Sequence, residues 1–214
     1  MRTRFQSQPQ VLRWIAEGEH QEQDFKLRID DARKIAKTLS AFANTSGGKL
    51  LVGVKDNGTI AGVKEEEEYH MLQHAAHQHC KPPVELQFQA WKVEDKLILE
   101  VNVVPASKKP ILAEFEKENW KAFLRENDQN ILAPAVMLDV WKMADSPLPE
   151  NFTYTEREQI LLNELQQGPQ TLSWLCKKTK TKRFTLQKII SKLIRWEIVQ
   201  WKVQGGIAFY SIKK

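Results

Sequence analysis

Residues 182–192 bring together side chains suited to binding a polyanion. Lys182, Arg183, Thr185, Gln187, Lys188 and Lys192 fall on one side of a helical pattern. Leu186, Ile189, Ile190, Leu193 and Ile194 form the apolar stripe on the other. Ammonium, guanidinium, hydroxyl and amide groups on one helix face suit phosphates and base edges. A merely solvated face would carry acidic counterparts, and here they are scarce. Residues 151–214 hold 12 Lys/Arg and 4 Asp/Glu, a net of +8, whereas the preceding residues sum to −3. This asymmetry predicts a basic module beside a nearly neutral body.

Other constellations carry less. His70, His74, His77 and His79 with Cys80 include pairs at i,i+4 spacing suited to zinc. No further ligand pair stands at a fixed spacing, so a polar helix face is expected instead. Asn44-Thr45-Ser46-Gly47-Gly48 could cradle a phosphate, but its glycines follow a helix and no Gly-x4-Gly-Lys-Ser/Thr is present. A helix end with a left-handed glycine is the expected structure, and ATP is not an expected ligand. Cys80 and Cys176 stand far apart, which excludes a disulfide framework and predicts small buried residues. Trp174, Trp196 and Trp201 are expected in a core. No apolar signal core and no apolar run of about 18 residues occurs. A cytoplasmic protein without membrane contact is expected.

These groups need elements to position them. Ala144–Asn151, with Pro147 and Pro149, suits a linker. The expected division is an α+β domain at 1–143, a linker at 144–152 and a basic domain at 153–214. In the first, Gln23–Ile29 reads as a strand, and Asp30 or Asp31 caps a helix carrying Ala32, Ile35, Ala36, Leu39, Phe42 and Ala43. Leu50–Val54 is a buried strand, and Asp56-Asn57-Gly58 a tight turn leading into Thr59–Val63. A helix from about Glu65 to His79 precedes two alternating strands, around Val84–Ala90 and Leu97–Val103. Strands near Ile111–Phe115 and Trp120–Arg125 and a helix near Ala133–Met143 would complete the domain. In the second, Thr155-Glu156-Arg157-Glu158 is a capping box. Helices near 155–167, 172–178 and 182–196 follow, then Ile198–Val203 and Ile207–Ile212 around Gly205-Gly206.

Three helices followed by a β-hairpin resemble the winged helix-turn-helix family. That resemblance implies that the third helix enters a DNA major groove while the hairpin touches backbone or minor groove. Lys182, Arg183, Thr185, Gln187 and Lys188 would then meet base edges or phosphates, and Lys192 and Lys202 the backbone.

Three N-terminal motifs occur in order: Glu19–Lys26 (EHQEQDFK), Ser40–Gly48 (SAFANTSGG) and Leu51–Gly62 (LVGVKDNGTIAG). From about Glu17 to Arg125 the chain resembles the Schlafen-type AlbA-like domain of many bacterial DNA-binding regulators and of animal Schlafen proteins. The resemblance implies a βαβαββ core, dimerisation, and a nucleic-acid groove lined by basic residues such as Lys26, Lys108, Lys109 and Arg125. It also implies an alternative activity, a divalent-metal-dependent endoribonuclease, with Glu19, Asp24 and Asp56 holding Mg²⁺ or Mn²⁺. Asp24 stands where the family has Glu, one methylene shorter. The primary expectation is an α+β protein, an AlbA-like βαβαββ sandwich with a C-terminal winged helix-turn-helix domain. It would act without a cofactor as a homodimeric transcriptional regulator on duplex DNA. A basic tail that binds an acidic protein partner is the remaining alternative.

Overall fold

The computed structural model describes residues 8–148 and 154–213. Up to residue 132 the elements are α1 (Gln8–Glu17), β1 (Gln23–Lys26), α2 (Ala32–Asn44), β2 (Gly48–Val52), α3 (Glu65–Gln78), β3 (Cys80–Lys81), β4 (Leu86–Val93), β5 (Lys96–Val103), β6 (Leu112–Glu116), β7 (Asn119–Glu126) and β8 (Gln129–Leu132). A second compact unit starts at Ala133 and contains α4 (Ala135–Lys142), α5 (Glu156–Gln166), β9 (Gln170–Thr171), α6 (Leu172–Thr179), α7 (Arg183–Arg195), β10 (Val199–Gln204) and β11 (Ile207–Ile212). The expected linker at 144–152 is described only up to residue 148, and residues 149–152 lie outside the described residues. Among the described residues no helix is long and apolar enough to cross a membrane.

Alternation of side chains across strands sets the layers of the first unit. Its mixed sheet has the order β1-β2-β5-β4, with β1 and β2 parallel through α2 and the other pairs antiparallel. Leu50, Val52, Leu99, Val101 and Val103 share one core with α2 and α3. Phe25, Leu51, Trp91 and Ile98 project into another core, closed by Val11, Trp14 and Ile15 of α1. A second, antiparallel sheet, β3-β6-β7-β8, packs on the far side of α2. Held between two sheets, α2 is buried on every side from Thr38 to Asn44. This explains the small residues Ser40, Ala41 and Ala43 in its last turns. Asp31 caps it, its Oδ1 accepting from the amides of Arg33 at 2.9 Å and Lys34 at 3.1 Å. The expected strands and helices are present. The sequence reading lacked α1, β3 and β8, and Thr59–Val63 contributes only an isolated bridge, Val54 to Ile60.

In the second unit the Glu158 carboxylate accepts the Thr155 amide at 2.8 Å, the reach-back of a capping box. Leu161, Leu165, Leu172, Leu175, Leu186, Ile190 and Leu193 form one core with Val199 and Tyr210. β10 and β11 pair in register from Val199–Ile212 to Gln204–Ile207, turned by Gly205 and Gly206 at φ +59° and +73°. That turn needs positive φ at both positions, which glycine adopts without strain. β9 adds to the other edge of β11, giving the order β10-β11-β9. The helix expected to complete the first domain belongs here instead: α4 packs on α7, with Val136 fully buried in the C-terminal core.

Candidate nucleic-acid interface

Leu186, Ile190 and Leu193 turn inward and so fix which side of α7 faces outward. Lys182 and Arg183 stand exposed at its start, the Arg183 guanidinium donating to Ser173 Oγ at 3.2 Å. Phe184 beside them is 70% exposed, with Lys188 Nζ 5.3 Å from its ring. Thr185 is half-buried. Gln187 and Lys188 meet α4: Gln187 Nε2 donates to Asp139 Oδ2 at 2.5 Å, and Lys188 Nζ lies 2.9 Å from Asp139 Oδ1. Ser191 Oγ donates to the Val136 carbonyl at 3.1 Å. Burial opposes the Asp139 charge, but the bonds from Lys188 and Gln187 outweigh it and hold its pKa below the usual aspartate value. Lys192 Nζ sits 3.3 Å from the buried carboxylate of Glu158, and Lys202 is exposed on the hairpin. Lys182, Arg183 and Lys188 thus form an exposed cationic patch at one helix end, in which Lys188 is paired with Asp139. Gln187 and Lys192 are held by Asp139 and Glu158 in the same way. Sequence reasoning missed Phe184 and Asp139, and only the placement of α4 reveals the latter.

In the first unit, burial corrects one expectation. Arg125 was expected to line a groove, yet its side chain is 1% exposed. Its guanidinium donates to Asp24 Oδ1 at 2.9 Å, Asn130 Oδ1 at 3.1 Å and the Gln23 carbonyl at 3.2 Å. This is a buried structural ion pair closed to a ligand. Lys26 is half-exposed and bridges Asp24 Oδ2 at 2.6 Å and the Phe25 carbonyl at 2.7 Å. Lys109 is half-buried, donates to the Thr45 carbonyl at 3.2 Å, and has its pKa lowered by burial; Lys108 is exposed.

The same geometry decides how well the carboxylates suit a metal. Glu19 Oε1 accepts the Phe25 amide at 2.8 Å. Burial, opposed by that bond and reinforced by neighbouring Asp24, raises the Glu19 pKa. Asp24 is buried and ion-paired to Arg125 and Lys26, its Oδ2 accepting no hydrogen bond from the described residues, and Asp56 is exposed in the turn at 56–58. Among the described residues no three His, Cys, Asp or Glu side chains are grouped as a metal requires. Glu19, Asp24 and Asp56 therefore do not fit a shared divalent cation. The histidines form no such group either: His79 Nδ1 lies 2.6 Å from Glu114 Oε2 and its ring packs edge-on with that of His74, centroids 5.0 Å apart, whereas His70 and His77 are exposed. Burial pushes the Cys80 thiol up to about 12, which leaves it inert.

The Asn44–Gly48 segment serves structure. Asn44 Nδ2 donates to the Ile111 carbonyl at 2.8 Å, the Phe123 carbonyl at 3.0 Å and Ser40 Oγ at 3.2 Å. Its Oδ1 accepts the Ile111 amide at 2.8 Å. Thr45 Oγ1 accepts the Arg125 amide at 3.0 Å, and Gly47 turns at φ +80° with the Val103 carbonyl 2.7 Å from where a Cβ would stand. The motif ties the end of α2 to β6 and β7.

The chain is similar, at 20% identity and a TM-score of 0.45, to the DIP2311 protein of Corynebacterium diphtheriae, over 69% of this chain and 30% of that one. It thus spans under a third of that protein's length. It is also similar to the N-terminal domain of a RecG-related protein of Nitrosomonas europaea, at 19% identity and a TM-score of 0.42, over 71% of this chain and 100% of that one. The winged helix-turn-helix DNA-binding domain of Mb0332 from Mycobacterium bovis, described as homodimeric, matches at 18% identity and a TM-score of 0.27, over 37% of this chain and 65% of that one. No curated protein matches the chain. The family described as Schlafen, AlbA_2 matches residues 19–134, more than half of the sequence. The chain therefore belongs to the Schlafen AlbA_2 family.

Proposed function

We propose that this protein is a nucleic-acid-binding transcriptional regulator whose C-terminal unit is a winged helix-turn-helix domain reading duplex DNA. The observation that carries the reading is the exposed Lys182–Arg183–Lys188 patch at the start of α7, beside a hairpin bearing Lys202. In that arrangement α6 and α7 form the helix pair, α7 enters the major groove, and β10–β11 is the wing. Lys182 and Arg183 contact phosphates or guanine edges, Lys202 contacts the backbone, and Thr185 lies near the groove floor. Lys108 and Lys26 offer secondary phosphate contacts on the AlbA-like unit. Two copies reading two half-sites make a homodimer the functional species, and no metal or cofactor is required.

Binding of labelled duplex DNA, with EDTA present throughout, tests the reading. Wild-type protein binds, and Lys182→Ala/Arg183→Ala/Lys188→Ala weakens binding at least tenfold. Equal affinity of the two proteins rejects α7 as the reading helix. In a separate reaction of RNA with Mg²⁺ or Mn²⁺, cleavage that is lost with EDTA or Glu19→Ala would instead establish the nuclease.

A further inference from the structure

The outer face of the C-terminal sheet has no role in the duplex reading beyond Lys202. Cross-strand register places Gln200, Lys202 and Gln204 of β10 beside Ser211, Phe209 and Ile207 of β11, all on one face. The opposite face, with Val199, Trp201, Ala208, Tyr210 and Ile212, packs into the core. Phe209 is a large aromatic on the central strand, paired on one side with Lys202 and on the other with Thr171. It is half-buried and does not belong to the core cluster. Phe209 lines a cleft of about 630 Å³ together with Pro169, Gln200, Lys202, Gln204, Ser211 and part of the half-buried Trp201.

Each of these groups suits an unpaired nucleotide. A half-buried phenyl ring lining a cleft can serve as a stacking surface for any base. Lys202, directly across from it, can neutralise a phosphate. The exposed Gln204 amide carries a donor and an acceptor for a Watson–Crick edge, whereas the Gln200 amide donates to Ser211 Oγ at 3.3 Å and the Ile212 carbonyl at 3.4 Å. The cleft lining contains no carboxylate, and residues 151–214 carry a net +8, so the local charge favours a polyanion. A duplex buries its bases in the stack and cannot lay one on Phe209. From this juxtaposition we infer that the outer face of β10–β11 is a binding platform for single-stranded nucleic acid, with Phe209 stacking a base and Lys202 holding its phosphate. The inference does not depend on α7 reading a duplex.

The test compares a labelled twelve-nucleotide oligothymidylate with a duplex, using full-length wild-type protein, Phe209→Leu, Phe209→Trp and the Lys182→Ala/Arg183→Ala/Lys188→Ala variant. Leucine keeps apolar bulk but lacks a π face, and melting temperatures establish that each variant is folded. Phe209→Leu weakens single-strand binding at least about fivefold, the lower end of base–aromatic stacking. Phe209→Trp restores it, and Phe209→Leu leaves duplex affinity unchanged. Single-strand affinity that is the same in Phe209→Leu and wild type, or absent in wild type, overturns the inference. Lost duplex binding in the triple variant alongside retained single-strand binding separates the two sites. Wild-type protein that binds neither ligand removes both readings.

Discussion

Asn44 satisfies its whole amide on backbone and hydroxyl groups of three elements, and this makes it the most exposed point of failure in the first unit. Removing it takes away the partner of the buried Ile111 amide and a donor to the Phe123 carbonyl, while the Ile111 carbonyl keeps the Ser40 hydroxyl at 2.8 Å. Asn44→Ala therefore costs about 2–4 kcal/mol of unfolding free energy, measured by urea denaturation. A loss below about 0.5 kcal/mol would show that this network is dispensable. Asp24 makes a second residue-scale case. As the partner of Arg125, whose side chain is 1% exposed, it cannot be removed without stranding a buried cation. Asp24→Ala costs about 3–5 kcal/mol. Were Asp24 instead one of several metal ligands repelling each other in the free protein, the same substitution would raise stability in EDTA.

At the scale of elements, α4 against α7 has the largest consequence for function. Asp139 holds Gln187 and Lys188 while placing a negative charge near the proposed phosphate path. Its folded pKa is lowered, so its stabilising contribution is complete above the unfolded value near 3.8 and is lost as pH falls through the folded value. The stability difference between wild type and Asp139→Asn is thus present at pH 7 and shrinks below about pH 4, as urea melts at both pH values would measure. In a binding assay at pH 7, Asp139→Asn frees Lys188 and strengthens duplex binding. Unchanged or weaker binding would place Lys188 outside the interface.

The sequence announced those elements whose signals are local. The spacing of Ile35, Leu39 and Phe42 marks α2, and Gly205-Gly206 between alternating runs marks the hairpin. α4 was legible as a helix, but its apolar residues Val136 and Met137 could bury against either unit, and only its contact with α7 decides. Arg125 reads as an ordinary strand-end cation, because its partner Asp24 lies 101 residues away in sequence. α1 was missed because Val11, Trp14 and Ile15 offer barely one turn of pattern beside an exposed Leu12. Phe209 looked like any strand aromatic until the register put it opposite Lys202 and away from the core.

For the whole molecule, charge and fold divide the labour. An AlbA_2-family unit with a buried Asp24–Arg125 ion pair precedes a C-terminal unit whose last residues, 151–214, hold the excess positive charge. Phosphate contacts release counterions, so log affinity for duplex DNA falls linearly with log salt, by about 0.9 for each phosphate neutralised. The most direct test is the salt dependence of duplex binding for wild type and for Lys182→Ala/Arg183→Ala/Lys188→Ala. The account predicts a steep wild-type slope that the triple variant flattens by about 2 to 3. An identical slope in the two proteins, or a wild-type affinity indifferent to salt, would contradict it.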